Sequence, residues 1–136
     1  MSREMSELAI ELSREARSVS LRKGASLFRC GDPVSGIFIV REGSVTLSLD
    51  APNTFYPSRT LGPGDIAGLP AALTGIYSLS ARAAEDSVLG FVPSHKVSEI
   101  LELHPRLSLM VLRIMSQEIA AMRSALRATP PLEADD

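Results

Sequence analysis

Leu27-Phe28-Arg29-Cys30-Gly31-Asp32-Pro33-Val34-Ser35-Gly36-Ile37-Phe38-Ile39-Val40-Arg41-Glu42-Gly43-Ser44-Val45-Thr46-Leu47-Ser48-Leu49, followed after a break by Leu61-Gly62-Pro63-Gly64-Asp65-Ile66-Ala67-Gly68, is the stretch on which the fold turns. Short apolar runs alternate in it with Gly-Asp-Pro, Arg-Glu-Gly and Gly-x-Gly-Asp turns. Glycine is the residue that supplies positive φ where a chain reverses between strands. The stretch therefore reads as a series of tight hairpins, with 36–40 and 44–49 paired through Arg41-Glu42-Gly43. In the second strand Val45, Leu47 and Leu49 face one way and Ser44, Thr46 and Ser48 the other, the pattern of a sheet buried on one face.

Upstream, Met5, Leu8, Ala9, Leu12 and Ala16 recur at helical spacing among Glu4, Glu7, Glu11, Arg14 and Glu15, which predicts an amphipathic helix over 2–16. From Ser18 the period changes to two, and Lys23-Gly24 turns the chain into a second short strand, 25–28. Downstream, 54–61 reads as a strand that Pro57 assigns to an edge or bulge. Two more strands follow, 78–84 and 87–92. Ser94 is the expected N-cap of a helix carrying Val97, Ile100, Leu101 and Leu103, and His104-Pro105 interrupts it. Pro105 suits the first turn of a last helix running to about 127.

The resulting expectation is a mainly β fold with flanking helices: an N-terminal helix over 1–17, a strand region over 18–93 and two C-terminal helices over 94–128. Many short strands with turns at this spacing point to a sandwich or barrel. The acidic, proline-bearing residues 129–136 are expected to be a disordered tail. A chain of 136 residues is one domain by length, and 45% hydrophobic with 22% charged residues places it among globular proteins.

The net charge of −2 supplies no basic footprint for DNA phosphates, so no nucleic-acid partner is expected. No apolar run approaches the ~18 residues of a membrane span, and the start lacks the features of a secretory signal, so the expected compartment is the cytoplasm. The single cysteine, Cys30, has no internal disulfide partner and reads as a reduced thiol.

The last helix has two apolar sets. Leu107, Met110, Val111 and Ile114 suit packing on the β-core, while Leu112, Met115, Ile119, Met122 and Leu126 step by 3, 4, 3 and 4. That alternation is a coiled-coil seam, and it predicts a homodimer interface. The other assignment of the seam is packing on the chain's own N-terminal helix.

The spacing Leu27-Phe28-x-x-Gly31-Asp32-Pro33-x-x-Gly36-Ile37-Phe38, then Gly43-x-Val45, then Leu61-x-x-Gly64-Asp65-Ile66-x-Gly68, resembles the cyclic nucleotide-binding domain family. This is the sensor module of Crp/Fnr-type bacterial regulators, of cyclic-nucleotide-dependent kinases and of gated channels. The resemblance implies a β jelly roll (a double-stranded β-helix), a long C-terminal helix forming a two-fold dimer interface, and a ligand cassette. The family's transcription factors continue into a helix-turn-helix domain, and the expectation here is a stand-alone module without one.

In the family, the cassette offers a cyclic nucleotide a short helix N-terminus, a Glu for the ribose hydroxyl and an Arg for the phosphate. Here the candidate cassette is Gly68, Leu69, Pro70, Ala71, Tyr77, Ser78 and Arg82, with Leu69 at the Glu position and Tyr77 at the Arg position. Aligning Arg82 with the phosphate role instead would leave too short a strand before Asp86. Losing a charge-assisted Arg–phosphate pair costs about 2–5 kcal/mol, enough to turn micromolar binding into millimolar. Ordinary recognition of cAMP or cGMP is therefore disfavoured, and no cofactor is expected. The remaining wall of Leu69, Pro70, Ala71, Ala72, Leu73, Ile76 and Tyr77 suits an apolar or aromatic ligand, or a pocket filled by its own side chains.

Enzymatic readings find little purchase. A cupin-type metal site needs several histidines, and only His95 and His104 exist, both in or beside the C-terminal helices. The same count disfavours haem, and no catalytic triad, phosphate loop or zinc spacing occurs. The expected function is a non-catalytic sensor or regulatory module with a small-molecule or protein partner. The alternative is a ligand-free dimerisation or protein-interaction module.

Overall fold

The computed structural model of the chain describes residues 3–49 and 58–127, with side chains for 7–49, 58–117 and 120. Eight strands and four helices follow in the order α1 (Arg3–Ser13), β1 (Arg17–Leu21), β2 (Ser26–Phe28), β3 (Gly36–Glu42), β4 (Val45–Ser48), β5 (Arg59–Leu61), β6 (Ile66–Ala67), α2 (Leu69–Thr74), β7 (Ser80–Ala83), β8 (Ser87–Pro93), α3 (Ser94–Leu103) and α4 (Pro105–Arg127). The strands form two antiparallel four-stranded sheets, β1-β8-β3-β6 and β2-β7-β4-β5. This is the jelly-roll architecture with flanking helices that the resemblance implies.

The expected hairpin of β3 and β4 is not formed. β3 pairs with β8 and β6, whereas β4 pairs with β5 and β7 in the other sheet. Residues 41–44 are a corner between sheets. Gly43, at φ 90°, lies so close to Ser87 Oγ and Asp86 O that a Cβ there would collide with both. Ser44 N donates to Ser87 Oγ at 3.1 Å, and Ser87 Oγ donates to Glu85 O at 2.8 Å.

The corner between β1 and β2 is tied beside it by Gly24 N to Ala83 O (2.8 Å) and Lys23 N to Asp86 Oδ1 (2.9 Å). Three crossings therefore stack at one end of the roll. Of the consecutive strands, only β4 and β5 share a sheet. β5 is an edge strand, as expected for that segment, while Pro57 lies outside the described residues.

The interior has two parts. Between the sheets, Phe28, Phe38, Val40, Val45, Leu47, Leu61, Tyr77 and Leu89 are buried together. Under the helices, Leu8 and Leu12 of α1 meet Ile37, Leu69, Val92, Val97 and the Leu107, Met110, Val111 and Ile114 face of α4. The helical spacing of α1 and α4 thus marks the buried stripes correctly. The α1 stripe reaches both β8 and α4.

Two local expectations fail. Pro93 is the N-cap of α3, and Ser94 is already inside the helix, its hydroxyl buried without a hydrogen-bond partner. Extended backbone at Pro93 (φ −62°, ψ 151°) supplies the helix entry, and the Ser94 amide is taken by Ser35 O at 3.0 Å. Leu103, expected in the α3 stripe, is 77% exposed, because within α3 it falls off the face shared by Val97, Ile100 and Leu101.

Candidate functional site: a cavity closed by Tyr77

The cavity between the sheets is built from the two ends of the cassette. Gly68, at φ 91°, ends β6 and starts the six-residue α2; its Cα faces the Tyr77 ring, which a Cβ would meet at 3.1 Å. After α2, Gly75 turns the chain back and residues 76–77 are laced to the loop between β2 and β3. Tyr77 N donates to Asp32 O (3.0 Å), Gly31 N to Tyr77 O (2.8 Å) and Val34 N to Gly75 O (2.9 Å).

Tyr77 itself points inward and is 2% exposed. Its ring stacks on Phe28 with centroids 3.8 Å apart and planes 6° from parallel. Its hydroxyl donates to Gly36 O at 2.7 Å and accepts from the amides of Ser35 and Gly36, both at 3.2 Å. Ser35 Oγ is a further neighbour at 3.1 Å. A phenol has one proton and two lone pairs to offer, and the backbone of the β2–β3 loop takes them all.

What space remains is about 70 Å³, lined by Phe28, Leu47, Ile66, Gly68, Pro70, Ala71, Tyr77, Ser78, Leu79 and Arg59. Ligand pockets for drug-sized molecules run to roughly 300–1,000 Å³. The residue types agree with the space: apolar walls, and a polar group at the rim.

The structure thus gathers Gly68, Pro70, Ala71, Tyr77 and Ser78 around one cavity. Leu69 and Arg82 are elsewhere. Leu69 is 2% exposed and packs into the cluster beneath the helices rather than lining the cavity. Arg82 is exposed between the buried Ala81 and Ala83, on the solvent face of β7. Leu73 and Ile76, expected in the wall, are 50% and 55% exposed.

Sequence reasoning missed Phe28, Leu47, Ile66 and Leu79 in the lining, and Arg59 as its charged member. Its signal was parity: Arg59 shares a strand face with buried Leu61, and it pairs with buried Leu47.

Along α4, Leu112 is 56% exposed, while Met115 is half-buried against the chain's own helix-side cluster. The side chains of Ile119, Met122 and Leu126 lie outside the described residues.

Two antiparallel sheets rolled around a small cavity, with a short helix in its wall and a long helix across its back, define a β-roll sensor-type domain. Residues 18–104 match the model of the cyclic nucleotide-binding domain, and the chain belongs to that family. The transcriptional activator protein Anr of Pseudomonas aeruginosa is 34% identical over 104 residues, which cover 76% of this chain and 43% of the activator. The chain therefore spans less than half of the curated relatives that it matches first.

Among solved structures, the catabolite activator protein of Thermus thermophilus superposes with a TM-score of 0.75 at 21% identity, over 93% of this chain and 59% of that one. The sensor domain of the transcriptional regulator DNR from Pseudomonas aeruginosa gives 0.69 at 19%, over 96% and 91%. These structures establish the shared fold. With the family match and the activator relatives, they make this a regulatory domain of the Crp/Fnr type. Among the described residues, no helix is long and apolar enough to cross a membrane.

Proposed function

We propose that the chain is a non-catalytic regulatory module whose cassette does not hold cAMP or cGMP in the manner usual for its family. The observation that carries this reading is Tyr77. It stands where the family's phosphate-binding Arg is expected, its hydroxyl is consumed by Ser35 and Gly36, and its ring occupies the space against Phe28. Leu69, at the Glu position, is turned away from the cavity. A nucleotide would meet neither of its two side-chain anchors and would have to displace a stacked aromatic pair.

The module's output is expected at the helices. Helix α2, which forms one wall of the cavity, packs on β3, α3 and α4. A small ligand that did enter would push on α2 and through it on α4, where a homodimer partner reads the displacement. No DNA contact is assigned to these 136 residues, whose net charge is −2.

A second reading has its own observation. The 70 Å³ cavity favours a ligand-free module in which the roll presents α4 for dimerisation or a protein partner. Hydrogen–deuterium exchange with millimolar cAMP or cGMP tests the shared core of both readings. Unchanged exchange over residues 68–78 is expected. New protection there on adding either nucleotide contradicts both.

A further inference from the structure

The outer face of the sheet β2-β7-β4-β5 carries a groove of about 290 Å³, on the opposite side of β7 from the Tyr77 cavity. Its lining includes Ser26, Thr46, Ser48, Ser58 and Ser80, with Arg29 and Arg82. The register explains the arrangement. Arg82 sits between Ser26 on β2 and Thr46 on β4, and Ser80 sits opposite Ser48. Small hydroxyl side chains beside long cationic ones leave a depression in a surface that is ordinarily covered by extended side chains.

The electrostatics of the groove are one-sided. Among the described residues no Asp or Glu lines it, although the chain as a whole is acidic. Neither Arg29 nor Arg82 makes a side-chain hydrogen bond or ion pair with the described residues. Two like charges lining one groove repel each other, and an anion bound between them attracts both and offsets that repulsion. Guanidinium groups present planar forks of donors that match phosphate oxygens, and the surrounding hydroxyls both donate and accept.

We propose that this groove is a binding site for a small phosphate-bearing ligand, with Arg29 and Arg82 on the phosphate and the hydroxyls on its remaining polar groups. The site is independent of the cassette, because buried Ala81 and Ala83 separate the two faces of β7.

The test is an amide NMR titration of the whole chain with sodium pyrophosphate and, separately, with glucose 6-phosphate, using glucose as the uncharged control. Saturable shifts centred on Ser26, Ser48, Ser80 and Arg82 are expected with both phosphates and none with glucose. Each of Arg29→Ala and Arg82→Ala should weaken binding about tenfold or more. Both side chains are exposed, so the rest of the spectrum reports that the variants remain folded. A stronger response to the sugar phosphate assigns the hydroxyls to sugar oxygens; a stronger response to pyrophosphate assigns them to phosphate oxygens. Absence of a saturable shift with either phosphate, or undiminished affinity in the double variant, overturns the proposal.

Discussion

Tyr77 does at one position what a ligand would do in a sensor: it ties the loop between β2 and β3 to the wall of the cavity. Removing only its hydroxyl isolates that role. Tyr77→Phe keeps the stack on Phe28 but leaves Gly36 O and two amides without their partner, at a cost of about 1–3 kcal/mol. Urea unfolding reads this as a lower midpoint with an unchanged slope. Ser94 makes the opposite case. Its buried hydroxyl satisfies nothing, so Ser94→Ala should be neutral or stabilising by up to ~1 kcal/mol. A loss of that size would instead mean that Ser94 acts as a helix cap.

Single residues also show where sequence reading reached the site and where it stopped. The departures at Leu69 and Tyr77 are visible as letters. That Leu69 turns toward α1 and α4, and that Tyr77 closes the cavity, depends on contacts with residues far along the chain. Periodicity carries no information about those contacts. Arg59 was within reach through its parity with Leu61, but its strand is short and the register set by β4 completes the signal.

At the scale of elements, local pattern was a good guide to which residues are buried and a poor one to which strands pair. Val45 and Leu47 on β4, and Leu107, Met110, Val111 and Ile114 on α4, fall where period two and period 3.6 put them. The turn at 41–43 looked like a hairpin because a glycine with positive φ serves an inter-sheet corner equally well. Only the packing of Gly43 against Asp86 and Ser87 distinguishes the two.

Helix α4 carries the element-scale prediction. Leu112 is 56% exposed beside Leu73 in an apolar groove, and it begins the 3-4 seam. Leu112→Glu should leave the stability of a single subunit within about 0.5 kcal/mol and shift the chain toward monomer in sedimentation equilibrium. A variant as dimeric as the parent, or a parent that is itself monomeric, removes the seam from the dimer account.

For the whole molecule, the jelly roll and its flanking helices were legible because several glycines and apolar runs hold family spacing over residues 27–68. Helices α2, α3 and α4 pack together, with α2 in the wall of the cavity, and the stacked rings of Tyr77 and Phe28 line the space between the sheets.

The most direct measurement is thermal unfolding of the purified chain with and without millimolar cAMP and cGMP. A ligand that binds only the folded state stabilises it by RT ln(1 + [L]/Kd), so the transition temperature climbs with the logarithm of its concentration above Kd. With Leu69 and Tyr77 in the cassette, the same transition is expected in all three samples. A rise that grows with the concentration of either nucleotide would contradict this, showing that Tyr77 yields its place and that the cassette holds a cyclic phosphate without the usual Arg and Glu.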